Sequence, residues 1–378
     1  MGCSLIITMF RSSSLSQYVD FCEQQYYINY VLGYDSPANM KADMGSASHL
    51  VLEWLAILKL QYDNGDEILK LKTGAVDVEF ERSAFYELKV LSDEDVKKIN
   101  RSRINKQIYL PDAQIKNGHV RTGSYVVNTL INAAYKYFSE VVSPDHKWTK
   151  ATYKQTWNCT WMCMEQYNRV YDPRFTKILS PEKKFEFEID EDWAKYDYFL
   201  KGKKMEGRLK LKGTIDLVIE VDNETIEIRD YKFGRMFNWG KNEAKNYETL
   251  QKDKQLMFYY YAVKKIFPQY KNIMITIIFV RDGGPITVCF DDSDYKEIEK
   301  MIKDTFLEVK NNNQPKLLDP TYRDHRCNKF CAFYKKQVDG KPLCSHIHNS
   351  INDYGIEHTT DVEMVEGFTP GFYSAPGE

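Results

Sequence analysis

The chain has 378 residues, 43% of them hydrophobic, so it can bury the core of one large domain or two ordinary ones and is not globally disordered. A net charge of −2 excludes attraction to nucleic acid by overall charge, and any such partner needs a local basic groove, for which residues 97–106 are the candidate. Eight cysteines in so long a chain exclude a small disulfide scaffold, and no apolar run approaches the roughly 18 residues of a membrane span, so the chain reads as soluble, intracellular and cytoplasmic.

The opening ten residues lack the basic lead of a signal peptide. Met-Gly is followed by Ile at position six, which argues against myristoylation. Residues 12–32 predict one capped amphipathic helix, with Leu15, Tyr18, Val19, Cys22 and Tyr26 at three- and four-residue steps. Residues 45–60 predict a second helix, on which His49 and Glu53 share a face. Residues 61–180 carry a charged segment at 91–106, helical periodicity at 128–142 and an aromatic stretch at 148–171. They read as a mostly helical insertion, in which Cys159 and Cys163 are core residues rather than half of a metal site.

Residues 183–189 alternate as a strand. Residues 213–232, GTIDLVIEVDNETIEIRDYK, predict a β-hairpin, with β-branched arms over 214–221 and 225–231 and a turn at 222–224. If the arms pair about Asn223, Asp216 stands opposite Asp230, and Lys232 shares Asp230's face. Cross-strand Cβ atoms are roughly 4.5–5.5 Å apart, so the two carboxylates need a cation or a proton between them. Mg²⁺, which takes oxygen ligands and usually binds through one or two carboxylates plus phosphate, fits. An exposed hairpin with ordinary surface charges is the better explanation of an isolated D-x-K. After a loop at 233–246 come a helix at 247–267 with Gln255 and Tyr259 four apart, strands at 271–280 and 285–290, and a helix at 294–310. That order predicts an α/β fold with a mixed sheet flanked by helices.

From Tyr322 the chain is polar, with Cys327, Cys331 and Cys344, then His346 and His348. Thiolates so grouped suit zinc or an iron–sulfur cluster. Residues after Gly367 read as a flexible terminus.

Taken together, these features resemble the RecB-like branch of the PD-(D/E)XK nuclease superfamily, with its AddB-type, CRISPR-associated and phage exonuclease relatives. Ser12, Ser14, Leu15, Cys22, Tyr26, Tyr30, Leu32 and Gly33 match its opening motif, with Glu23 where the family has proline. Gly45, His49, Leu52 and Glu53 match G-x-x-x-H-x-x-L-E. Gly213 and Asp216 match G-x-x-D, Asp230 and Lys232 match D/E-x-K, and Gln255 and Tyr259 match Q-x-x-x-Y. Residues 61–180 lie outside the resemblance.

The resemblance implies that His49, Asp216, Asp230 and the backbone carbonyl of Tyr231 bind Mg²⁺ or Mn²⁺. It implies that Lys232 positions the attacking water, and that Gln255 and Tyr259 hold Lys232 and the DNA backbone. Some members hold a 4Fe-4S cluster by one early and three late cysteines, a layout that Cys22, Cys327, Cys331 and Cys344 mirror. A zinc site on the three late cysteines with His346 or His348 remains the alternative, because the gap from Cys331 to Cys344 is longer than usual. The implied organisation is residues 1–60 as N-terminal helices, 61–180 as insertion, 181–315 as catalytic core and 316–378 as a cysteine-rich segment. The implied activity is a DNA exonuclease acting on ends or single strands in repair or recombination, with a helicase or recombinase as a candidate partner. The abundance of Lys, Asn, Tyr and Ile suggests an AT-rich phage or bacterial genome. A catalytically silent DNA-binding subunit and a zinc-bearing interaction protein are the rival readings.

Overall fold

One mixed sheet carries the elements that matter for function. The computed structural model describes residues 8–12, 14–16, 18, 21–32, 34, 40–87, 89–90, 115–116, 119–120, 122–165, 169–200, 203–234, 236–238, 243–280, 284–319 and 326–356. The basic stretch at 97–106 and the tail beyond Gly367 lie outside the described residues.

The sheet's strands are β1 (Met9–Arg11), β2 (Ile178–Glu188), β3 (Lys210–Glu220), β4 (Thr225–Lys232), β5 (Asn272–Phe279) and β6 (Gly284–Phe290). Their order is β1-β3-β4-β5-β6, with β2 also on β3. The β3–β4 hairpin has the expected register, Leu217 opposite Arg229 and Glu220 opposite Ile226, centred on Asn223. β4 runs parallel to β5, and its residues from Thr225 to Tyr231 are all buried, the charged Glu227, Arg229 and Asp230 included, as in a strand packed on both faces.

β3 has three partners but only two edges. β2 spans β3 from Lys210 to Ile219, so β1 (at Lys210–Lys212) and β4 (from Leu217) share the other edge, end to end. Residues 213–216 lie where that edge passes from β1 to β4. The sheet is split there.

Helices cover both faces. On one lie α1 (Met40–Asn64), α2 (Tyr125–Tyr137) and α3 (Lys150–Glu165), around a core of Trp54, Leu55, Leu130, Trp157 and Trp161. On the other lie α4 (Lys254–Ile266) and α5 (Asp292–Asn311), with α6 (Leu343–Tyr354) joining the same core through Leu343, Ile347 and Ile351. Alternate residues of β4 serve the two cores, Ile226 and Ile228 on one side and Tyr231 on the other. Fully burying each such side chain contributes about 1.5–3 kcal/mol.

Several expectations need correction. Residues 12–32 do not form one helix. They hold a turn at Ser14–Ser16 and a helix at Glu23–Tyr26 that widens into a π-helical stretch, Tyr27–Val31, and Cys22 before it is extended at φ −162°. The second helix runs 25 residues rather than sixteen. Within 61–180 the longest described elements are the helices Tyr125–Tyr137 and Lys150–Glu165, and Ile68–Lys72 pairs with Asp77–Glu81 as a hairpin. The helix expected over 247–267 breaks at Asp253, which caps α4 by accepting from the Gln255 amide at 2.9 Å. Cys163 is buried in the α1–α3 core as expected, whereas Cys159 is half-exposed.

Gly213 is explained by packing. A Cβ there would stand 2.5 Å from Phe185 Cζ, opposite it on β2, and 3.3 Å from Ser12 Cβ. Gly213→Ala should therefore lower stability by about 1–3 kcal/mol, the usual penalty for overpacking. Thermal melting checks this, and an unchanged midpoint would show that the Phe185 ring yields freely.

Candidate active site

At the split in the sheet β3 loses its backbone pairing on both sides, and the residue at that point is Asp216. Its ladder with β4 stops at Leu217–Arg229, so Asp230 is the next position in register rather than a paired one. The Asp216 side chain takes over, with Oδ2 accepting the Tyr231 amide at 2.9 Å. On the other edge Ile215 pairs with Lys183 and Leu217 with Pro181, while the intervening Glu182, opposite Asp216, drops out.

α1 delivers His49 to this point. Its Nδ1 lies 3.2 Å from Asp216 Oδ2, and its ring packs edge-on against Phe233, with centroids 5.0 Å apart. Burial draws the imidazole pKa down, but the charge and hydrogen bond of Asp216 outweigh it and leave the group raised. Burial pushes Asp216 up, and the same contact with His49 outweighs that and holds the carboxyl below its ordinary value.

β4 delivers Asp230 and Lys232. Lys232 Nζ lies 2.8 Å from Asp230 Oδ2 and donates to Oδ1 at 3.1 Å and to Gln255 Oε1 at 3.4 Å. Gln255 Nε2 donates to the Tyr259 hydroxyl at 3.0 Å, and that hydroxyl donates to the Thr214 carbonyl at 3.0 Å. Thr214 lies in the split, where no strand neighbour can take its carbonyl, so the relay from α4 also closes the backbone's own accounting. Burial, then the Asp216 charge, push Asp230 up against the opposing pull of Lys232. Burial opposes the Lys232 charge, but Asp230 prevails and the ammonium is raised.

The structure thus brings His49, Asp216, Asp230, Lys232, Gln255 and Tyr259 to one place. Tyr231 meets Asp216 through its amide, and its carbonyl follows directly toward Lys232. Among the described residues no three acidic, cysteine or histidine side chains stand ready-made around one ion, because His49 is engaged with Asp216 and Asp230 with Lys232. The donor set nevertheless fits a hard divalent ion: two carboxylates, an imidazole and a carbonyl. Asp230 Oδ2 is buried and, despite its ion pair, accepts no well-formed hydrogen bond, which leaves an acceptor that a cation would satisfy.

Two further carboxylates stand beside this set, one matched to a motif in the sequence but given no role, the other not singled out there. Glu53 and Glu182 line the same pocket as His49, Leu52, Pro173, Asp216, Leu217 and Tyr231. Burial, then the charges of Asp216 and Glu53, push the Glu182 carboxyl up to about 7. Burial likewise raises Glu53. The wall at Pro173 is held by a buried ion pair, Asp172 with Arg174 at 2.7 Å, which also bonds the Phe85 carbonyl.

A family model described as PD-(D/E)XK nuclease superfamily matches residues 113–335, more than half of the chain. The chain belongs to the PD-(D/E)XK nuclease superfamily. The matched stretch holds Asp216, Asp230, Lys232, Gln255, Tyr259, Cys327 and Cys331, while His49, Cys22 and Cys344 fall outside it. It begins within 61–180, so that segment is not wholly outside the likeness. No curated protein matches. Among solved structures, one titled "Crystal structure of SSO0001" is 17% identical, over 43% of this chain and 61% of that one, with a TM-score of 0.23. The chain therefore spans about three-fifths of that structure's length. Members of this superfamily are nucleases that typically use Mg²⁺ or Mn²⁺. No described helix of this member is long and apolar enough to cross a membrane.

A second pocket gathers the cysteines. Cys22, Cys327, Cys331 and Cys344 line it together with Phe21, Gln25, Leu317, Leu318, Tyr334 and Ser345. None of the four is joined in a disulfide. Burial, then the neighbouring Cys331, Cys22 and Cys327, push Cys344 up to about 12. His346 and His348 do not line the pocket, and His348 Nδ1 lies 3.2 Å from the Pro315 carbonyl.

Proposed function

We propose that the protein hydrolyses phosphodiester bonds of DNA with Mg²⁺ or Mn²⁺, as an exonuclease working on ends or single strands in repair or recombination. A helicase or recombinase partner that supplies such ends belongs to the same reading. The observation that carries it is the meeting of His49, Asp216, Asp230 and Lys232 at the split in the sheet. A bound divalent ion supplies Lewis acidity toward a phosphoryl oxygen and a more acidic ligand water. His49, Asp216, Asp230 and the Tyr231 carbonyl are the groups that would hold it. To do so His49 would release any proton it carries to solvent, and Asp230 would loosen from Lys232. The freed Lys232 ammonium, steered by Gln255 and Tyr259, then orients the water and faces the charge that builds on phosphate. A silent DNA-binding subunit is the weaker reading, because the site keeps every member of the set.

The test is digestion of end-labelled single- and double-stranded DNA by the full chain, with Mg²⁺, with Mn²⁺ and with chelator. Progressive release of short products, dependent on the ion and lost in Asp230→Ala, is expected. A wild type that binds DNA but never cuts it would replace the enzyme with the binder.

For the cysteine pocket we propose a 4Fe-4S cluster. Four thiols with no histidine among the lining residues fit cluster ligation. A zinc site on the three late cysteines alone needs His346 or His348 to complete a tetrahedral set about 2.0–2.3 Å from the ion. A brown anaerobic preparation containing iron and sulfide supports the cluster, and a colourless one containing zinc replaces it.

A further inference from the structure

We propose that the side-chain amide of Gln25 donates a hydrogen bond to a sulfur of the cluster in the cysteine pocket and so raises its reduction potential. The proposal rests on the cluster reading above. Three observations lead to it. First, Gln25 lines the pocket together with Cys22, Cys327, Cys331 and Cys344, and its Oε1 is buried with no hydrogen-bond partner among the described residues. A buried polar atom left unmet costs stability, so the empty pocket leaves this amide unsatisfied. The two ends of the amide differ: Oε1 only accepts, Nε2 carries two donors, and a half-turn about the last bond exchanges them. Cluster sulfurs and thiolate ligands are negative, so they repel an inward carbonyl and hold an inward NH₂. Loading the pocket thus selects the donating end. Second, other donors already converge on these sulfurs. Burial pushes the Cys22 thiol up, and the amides of Gln25, Leu318 and Gln24 draw it back. Burial pushes Cys331 up, and the amides of Tyr334 and Phe333 draw it back. Each of these cysteines precedes a short helix in extended backbone, at φ −162° before Glu23–Tyr26 and φ −98° before Ala332–Lys335, so the amides two and three residues on serve both in the same way. Against the burial that raises Cys344, the Ser345 hydroxyl acts likewise. Third, docking of Glu23–Tyr26 onto the late segment is carried by the neighbours of Gln25. Glu23 accepts from Asn312 and from the Lys316 amide, and the Gln24 amide donates to the Lys316 carbonyl. A change at the Gln25 side chain therefore acts on the pocket alone. Hydrogen bonds to the sulfurs help set the potential of an iron–sulfur centre. A donor favours the reduced form, which carries one more negative charge, over the oxidised one.

The experiment uses the full chain purified without oxygen, with iron and sulfide analysis, a redox titration with dithionite, and pulsed electron paramagnetic resonance of the reduced protein in D₂O. Gln25→Met keeps the length of the side chain and removes the donor. Gln25→Leu removes it with a different shape, which guards against a packing effect. Both variants are expected to keep the parent's iron and sulfide. Both should be about tenfold harder to reduce, which is about 59 mV for one electron. The exchangeable-deuteron signal given by the donor in the parent should be weaker in both. Potentials within threefold of the parent's reduction equilibrium, or an unchanged deuteron signal, overturn the proposal and leave the cluster reading intact. Variants that lose iron while the parent keeps it assign Gln25 to holding the cluster rather than tuning it, and overturn the proposal too. A parent that carries no iron overturns the cluster reading and this inference with it.

Discussion

Lys232→Met should cut DNA about 10²–10³-fold more slowly than the parent, the range for deleting one preorganised electrostatic group at a transition state. The same change should make stability depend on divalent ion. Asp230 is only 4% exposed, and its charge is answered by Lys232 at 2.8 Å. Removing one partner of a fully buried pair costs about 3–5 kcal/mol. The Lys232 side chain is 36% exposed, so solvent screening trims this to about 2–3 kcal/mol. Mn²⁺ at a hundred times its dissociation constant contributes about 2.7 kcal/mol to whatever it binds. In the parent the ion must compete with the lysine for Asp230, and in the variant it does not. Mn²⁺ should therefore raise the melting point of Lys232→Met by more than that of the parent, while cleavage stays lost. That combination separates a lysine that acts on the phosphate from one that only neutralises a carboxylate. Cleavage within tenfold of the parent would remove Lys232 from the chemistry.

Much of the site was legible in the sequence because its spacings are local. The hairpin turn is short and symmetric about Asn223, so the register of Asp216 and Asp230 follows from counting. Gln255 and Tyr259 are one helical turn apart, and the hydrogen bond between them follows from that. His49 was legible only through the order of motifs, since its contact with Asp216 joins positions 167 residues apart. Glu182 was not legible. Its place opposite Asp216 depends on how β2 registers with β3, and its direction depends on the sign of one dihedral, hinted at only by Pro181. The three residues of β1 are too few to show a period, yet they create the split that exposes the site. The broken first helix is the opposite failure. Leu15, Tyr18, Cys22 and Tyr26 keep helical spacing, but that spacing does not distinguish one helix from separate turns joined by an extended Cys22.

Cys22→Ser should leave the nuclease core folded while stripping the second pocket of the proposed cluster and lowering the melting temperature. Cys22 and Cys327 stand about 300 residues apart in the chain. A covalent link closing so long a loop removes roughly 5–6 kcal/mol of unfolded-state entropy in the chain-entropy account. A four-thiolate cluster would act as such a link. Part of the junction holds without it. Glu23 accepts from the Asn312 side chain at 2.9 Å and the Lys316 amide at 3.0 Å, and the Gln24 amide donates to the Lys316 carbonyl at 3.1 Å. Phe333, Leu343, Ile347 and Ile351 meanwhile pack into the α4–α5 core. These contacts preorganise the pocket, so the variant loses the link without losing the docking. The expected result is a colourless protein whose circular dichroism is close to the parent's, whose melting point is several degrees lower, and whose segment 326–356 is cut sooner by protease. Burial holds Cys331 and Cys344 as thiols, so loading the parent's apoprotein with the cofactor should release protons. A Cys22→Ser protein that keeps the parent's iron, colour and melting point would remove Cys22 from the ligand set. The three late cysteines would then be left to the zinc alternative with His346 or His348.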